Sequence, residues 1–309
     1  MQEGGRLRKL MSEPRLAGAS PALFAATDAL GASALSADVA NALGPYQDLV
    51  GTWQGDLGWN LVAVPGKPFD LLVQQYTETI TFSAMLDIPN RRMGAPTSFL
   101  AGLEYSLQIF ELGKPNVSLH EENGMWLLLG DGTDGSDTEG NKLPTIARQA
   151  TVPHGDSVLA LGGYTDQSRA PQYSKIAVLP EIFGQAPFDY FQQYNNQKGP
   201  AGELVKDPCS LLAQALPNTN VDRTITFTAR TDAYPQGGLL NIPFIQKYAD
   251  ASLFAATMWL AYENSASGTP DLMLQYAQLT MIDFAQQPDQ RSGLIKWPHI
   301  DINTLKKVR

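Results

Sequence analysis

The chain has 309 residues, 43% hydrophobic and 17% charged, the balance of a folded protein with room for one large β domain or two ordinary domains. A formal charge of −9 argues against nucleic acid and anionic membrane surfaces as partners, and a single cysteine, Cys209, excludes an internal disulfide framework. The stretch around Arg6, Arg8 and Lys9 lacks the apolar core of a signal peptide, and no apolar run approaches the ~20 residues of a membrane-spanning helix, so a cytoplasmic location is expected.

Residues 1–18 are charged and glycine-containing and read as a mobile tail. Ser20-Pro21 offers an N-cap and a first-turn proline for a short helix over Ala22–Ala26. A second short helix is predicted from Ser36 to Leu43, stopped by Gly44-Pro45. The period then changes to two. In Phe69–Phe82, Gln74, Tyr76, Glu78, Ile80 and Phe82 share one face. Leu103–Phe110, Gly124–Leu129, Thr145–Val152, Ser157–Leu161 and Arg223–Thr231 are further strands. Two long strands, Ser252–Glu263 and Leu272–Phe284, flank a turn at Asn264–Pro270. In the first of these, Phe254, Met258 and Tyr262 share a face and Trp259 takes the other; in the second, Leu274, Tyr276, Ile282 and Phe284 are read as one face. The last strand starts at Pro298-His299, with Ile300, Ile302 and Thr304 on one side and His299, Asp301, Asn303 and Leu305 on the other.

Many strands with few helices between them predict an all-β fold: an antiparallel barrel of ten or more strands, in a single domain over residues 19–309. Residues 183–222, rich in Gln, Asn, Pro and Gly, read as an insertion that could act as a lid. It holds a short helix capped by Asp207-Pro208, with Leu211, Leu212 and Leu216 on its apolar side.

The chain has only three histidines. His299, on a rigid strand start, is a candidate iron ligand. His154, in Pro153-His154-Gly155-Asp156, is a candidate acid–base group at a cavity mouth. His120 stands beside Glu121 and Glu122, before an expected hairpin turn at Asn123-Gly124. A shared non-heme metal site lacks supporting spacing. The acidic run Asp131–Glu139 fails the calcium-loop pattern, and neither Cys209 nor Ser157 carries a nucleophile signature.

Gly51-Thr52-Trp53-Gln54-Gly55, Leu119-His120-Glu121-Glu122-Asn123-Gly124-Met125-Trp126-Leu127 and the His299 segment occur in an order that resembles the nitrobindin-like, fatty-acid-binding-protein-like heme-binding β-barrels. The run Ile146–Ser157 looks like a longer-chain branch of that group. The resemblance implies a barrel with an internal cavity, heme b on His299 as proximal ligand, Trp53 and Gly55 at the cofactor-binding barrel opening, and reaction at the open iron position with a diatomic or oxidant. Read without it, the same residues suit a lipocalin-like carrier of an apolar molecule, or a heme-free barrel enzyme acting on a bulky hydrophobic substrate.

Overall fold

The computed structural model describes residues 37–308 apart from 67–68, 91–97, 130–141, 174, 177, 184–187, 217–219 and 289–290. The predicted tail, the first helix and the acidic run lie outside the described residues. The second helix is present as α1 (Ala37–Leu43), ended by Gly44 in the left-handed region (φ 51°), and a 3-10 turn (Gly44–Leu49) carries the chain into β1 (Gly51–Pro65).

Ten antiparallel strands then close on one another. They are β1, β2 (Phe69–Asn90), β3 (Ser98–Glu111), β4 (Ser118–Leu128), β5 (Ile146–Val152), β6 (Asp156–Gln167), β7 (Val221–Arg230), β9 (Asp250–Glu263), β10 (Asp271–Gln286) and β11 (Leu294–Lys307). Each pairs with the next, and β11 pairs back onto β1, so the barrel has no free edge along its main wall. The short β8 (Gly238–Asn241) continues along β6 where β7 leaves it. The all-β barrel expected from period-two patterning is therefore the fold.

The strands alternate between two cores. The inner core contains Trp53, Tyr76, Phe82, Leu103, Tyr105, Trp126, Phe227, Met258, Leu260, Leu274 and Leu305. The outer core contains Trp59, Leu61, Phe69, Trp259, Ala277, Phe284, Trp297, Ile300 and Ile302. It is covered by the connection 168–220, through Val178, Tyr194, Val205 and Leu212. The expected insertion therefore starts before Phe183, and these residues pack on the outside of the wall formed by β1, β9, β10 and β11.

Two local slips give each core its share. A bulge between Gly55 and Gly58 turns β1 over, so that Trp53 is inward and Trp59 outward although both are odd-numbered. In β10, Ala277 and Leu279 face the outer core, and so do Ile282 and Phe284. The slip lies where the β9 register shifts, between Met281 and Ile282, and it corrects the one-face reading: Leu274 and Tyr276 point inward, Ile282 and Phe284 outward.

The insertion holds α2 (Phe188–Asn196) and α3 (Cys209–Ala215). Pro208 occupies the N-cap of α3 without a side-chain cap, and Asp207 contributes its carbonyl to Ser210 rather than its carboxylate to the helix start, a correction to the expected cap. Buried Gln275 of β10 ties α3 down, donating to the Leu212 carbonyl and to Thr304 Oγ1, both at 2.8 Å. Trp59 Nε1 donates to Glu203 Oε1 at 2.6 Å, a second anchor between wall and cover.

Candidate functional site

One end of the barrel is plugged. Leu43, Tyr46 and Leu49 are fully buried in the inner core, and Tyr46 stacks on Phe227 with centroids 5.2 Å apart. Trp53 donates to the Leu49 carbonyl at 2.7 Å, and Tyr262 donates to Asp48 Oδ2 at 2.8 Å. The other end carries the histidines. His154 is exposed in the β5–β6 turn, while His120 near the start of β4 and His299 in β11 each leave 28% of the side chain open.

The rings of His120 and His154 lie 5.1 Å apart. Burial, then His120, then His299 pull the His154 pKa below its usual value, so all three histidines act on one volume and His154 favours its neutral form. By register His299 lies opposite Thr280, which pairs with the inner-core Phe254, so it stands on the inward side of β11. Burial lowers its pKa, but Asp301, with Oδ1 3.5 Å from Nε2, outweighs it and the net direction is upward. That ion pair is too long for a good hydrogen bond, so His299 Nε2 is a buried atom without a hydrogen-bond partner, as are Asn60 Oδ1 and Asp156 Oδ1.

Deeper in the lumen lies a charged cluster. Arg148 Nη2 donates to Glu122 Oε1 at 2.6 Å and Nε to Tyr105 Oη at 3.2 Å. Tyr105 donates to the same carboxylate, and Arg148 Nη1 to Gln278 Oε1 across the barrel from β5 to β10. The guanidinium lies 4.8 Å from the Phe254 ring centroid. Burial alone would raise the Glu122 pKa, but Arg148 and then His120 reverse it and bring it down to about 2. Gly124 makes the cluster possible. A Cβ there would meet the Gln149 carbonyl at 2.2 Å and the Tyr105 ring at 2.7 Å. The Asn123-Gly124 turn reading is thus corrected: the pair lies mid-strand in β4, opposite Ser106 and Tyr105, and the turn falls at residues 112–117.

A second polar group centres on Glu78, 2% exposed among Tyr76, Ile80 and Phe82. Its Oε2 accepts from Tyr276 Oη and Asn303 Nδ2, each at 2.7 Å, and Tyr276 meets Tyr76 Oη at 2.9 Å. Burial, countered in part by these donors, pushes its pKa up to about 7. Gly55 and Gly58 let β11 come this close, since a Cβ would meet the Thr304 carbonyl at 2.3 Å or Asn303 Cγ at 2.6 Å. A cavity of about 30 Å³ lies between the two clusters, lined by Glu78, Tyr276, Tyr105, Arg148, Gln278 and Trp126 among others.

The structure thus gathers His120, His154 and His299 and keeps Trp53 apart from them. Trp53 pairs with Lys307, eight residues along β11 from His299, or ~26 Å at the usual strand rise. Among the described residues, no three His, Cys, Asp or Glu side chains are placed to hold one metal ion, and no helix is long and apolar enough to cross a membrane. Comparison with protein-family models, with curated proteins and with solved structures finds no match to this chain.

Proposed function

We propose that the barrel binds a small organic molecule at the histidine mouth of its lumen, with its polar group among His120, His154 and His299. One observation carries this reading: the chain's three histidines, scattered over 180 positions, share one end of the lumen, where buried polar atoms lack partners. Such atoms cost free energy unless water or a ligand satisfies them. His154 is exposed at that end, and its lowered pKa favours the form that can accept a proton. Titration with 1-anilinonaphthalene-8-sulfonate, an aromatic anion, tests the site. The expected result is one-to-one binding weakened about tenfold or more in His299→Ala and His154→Ala. Equal affinity in wild type and both variants overturns it.

Heme on His299, with the iron's open position available to a diatomic or oxidant, is the second reading. The donor is an imidazole nitrogen, His299 Nε2, with no hydrogen bond and a long ion pair to Asp301. The enclosed space of about 30 Å³ is an order of magnitude below the ~300–1,000 Å³ of small-molecule pockets, so a macrocycle would have to open the barrel, whereas a smaller guest need seat only its polar group at the histidine mouth. A hemin titration giving a Soret shift in wild type and none in His299→Ala would bring this reading to the front.

A further inference from the structure

We propose that the lumen floor is a carbonyl-binding site, in which Glu78 in its acid form donates from Oε1 to a ligand's carbonyl oxygen held in the cavity between Glu78 and Arg148. The inference rests on the lumen-binding reading and names the ligand class.

The geometry assigns the proton. Glu78 Oε2 already accepts from Tyr276 and Asn303, so a proton on this carboxyl belongs on Oε1. Oε1 is buried and has no partner. The adjoining cavity of about 30 Å³ has room for one water-sized oxygen. Its remaining wall is largely apolar, with Ile80, Phe82, Leu107, Leu274 and Leu305, so the oxygen it holds meets few other polar groups, and the carbon skeleton behind a carbonyl would lie outside the cavity toward the histidine mouth.

Burial favours the acid form of Glu78. The donors Tyr276 and Asn303 oppose it, Asp301 on β11 adds to it, and His120 on β4 opposes it. Tyr76 and Tyr276, both buried, stay phenolic because burial and then Glu78 raise their pKa values. Arg148 is on the same cavity wall, but its charge is engaged by Glu122, so it adds no free cation. Access is set by register: Gln278 sits between the level of His299, opposite Thr280, and that of Tyr276. A ligand reaching the floor therefore displaces the Arg148–Gln278 contact. If the proton is passed on, it leaves Oε1 for the carbonyl oxygen and the carboxylate remains held by Tyr276 and Asn303; it returns by the same route.

The probe is 4-dimethylaminocinnamaldehyde, whose absorption moves to the red when its carbonyl accepts a strong hydrogen bond. Wild type should bind it saturably with a red shift that fades as pH rises through about 7. Glu78→Gln, which keeps an N–H donor, should bind with a shift independent of pH, and Glu78→Leu should lose the shift. Binding with a shift unaffected by pH and by both variants, or no saturable binding, overturns the proposal. The anilinonaphthalene sulfonate titration, read separately, then says whether lumen binding itself stands. Should Glu78→Leu fail to fold, the infrared carbonyl band of a protonated carboxyl, present in wild type and absent in Glu78→Gln, decides the same point; its absence from wild type near neutral pH counts against the proposal.

Discussion

Glu78 and Glu122 sit in one lumen and titrate in opposite directions. Glu78, raised to about 7, holds its proton in the folded chain after the unfolded chain has lost it. Its contribution to stability is full below about 4.5 and is lost as pH rises towards 7, roughly 3 kcal/mol in all. Glu122, lowered to about 2, contributes above about 4.5 and loses that contribution as pH falls. His299 has the sign of Glu78 and His154 the sign of Glu122. Urea melts across the acid range should show stability falling between about pH 4.5 and 7, a slope that flattens in Glu78→Gln. Arg148→Met should cost about 3–5 kcal/mol by leaving buried Glu122 without its arginine, and adding Glu122→Gln should return part of it, as equilibrium unfolding of the single and double variants would report. These residues left a signal in the sequence. Glu78 stands in a stripe with Tyr76, Ile80 and Phe82, and Arg148 follows Ile146 and Ala147; a charge on an apolar face demands a partner. The partner's identity was not legible, because Glu78 meets Asn303 from 225 positions away.

At the scale of the element, alternation was readable where a strand keeps one register and misleading where it slips. Ile225, Phe227 and Ala229 are all buried in β7, as period two requires. The β10 slip put Phe284 on the wrong face, since a shift in pairing with the neighbouring strand β9 leaves no mark in the period of β10 itself. Asn123-Gly124 misled for another reason. Its glycine answers a close approach by Tyr105, not a need for positive φ. Gly124→Ala should therefore destabilise the protein by about 1–3 kcal/mol through overpacking, measured by thermal or urea unfolding. Gly113→Ala, in the actual turn, has nothing within 4 Å of the added Cβ and should suffer only from its φ of 76°.

For the whole molecule, closure depends on the two ends of the chain. β11 pairs with both β1 and β10, and its side chains feed both cores. A chain cut before Leu294 should lose cooperative unfolding altogether, visible as a flat near-ultraviolet circular dichroism melt. A barrel of ten or more strands could be read from sequence because most of the strands alternate over a long run. That the insertion would cover the outer wall could not, because this depends on which face of β1 and β10 remains apolar after their slips.

The one-sided cover makes the barrel mechanically uneven. Strands β1, β9, β10 and β11 are buried on both faces, whereas the far end of β2 and strand β4 show Ile88 and Met125 to solvent at 45% and 39%. Amide hydrogen exchange should accordingly be slowest along β10 and β11 and faster along β3 and β4. The half of the barrel carrying His120, Glu122 and Arg148 is then the compliant half, and the half carrying His299 and Tyr276 the rigid one. A guest in the lumen would be gripped by a moving jaw working against a fixed anvil.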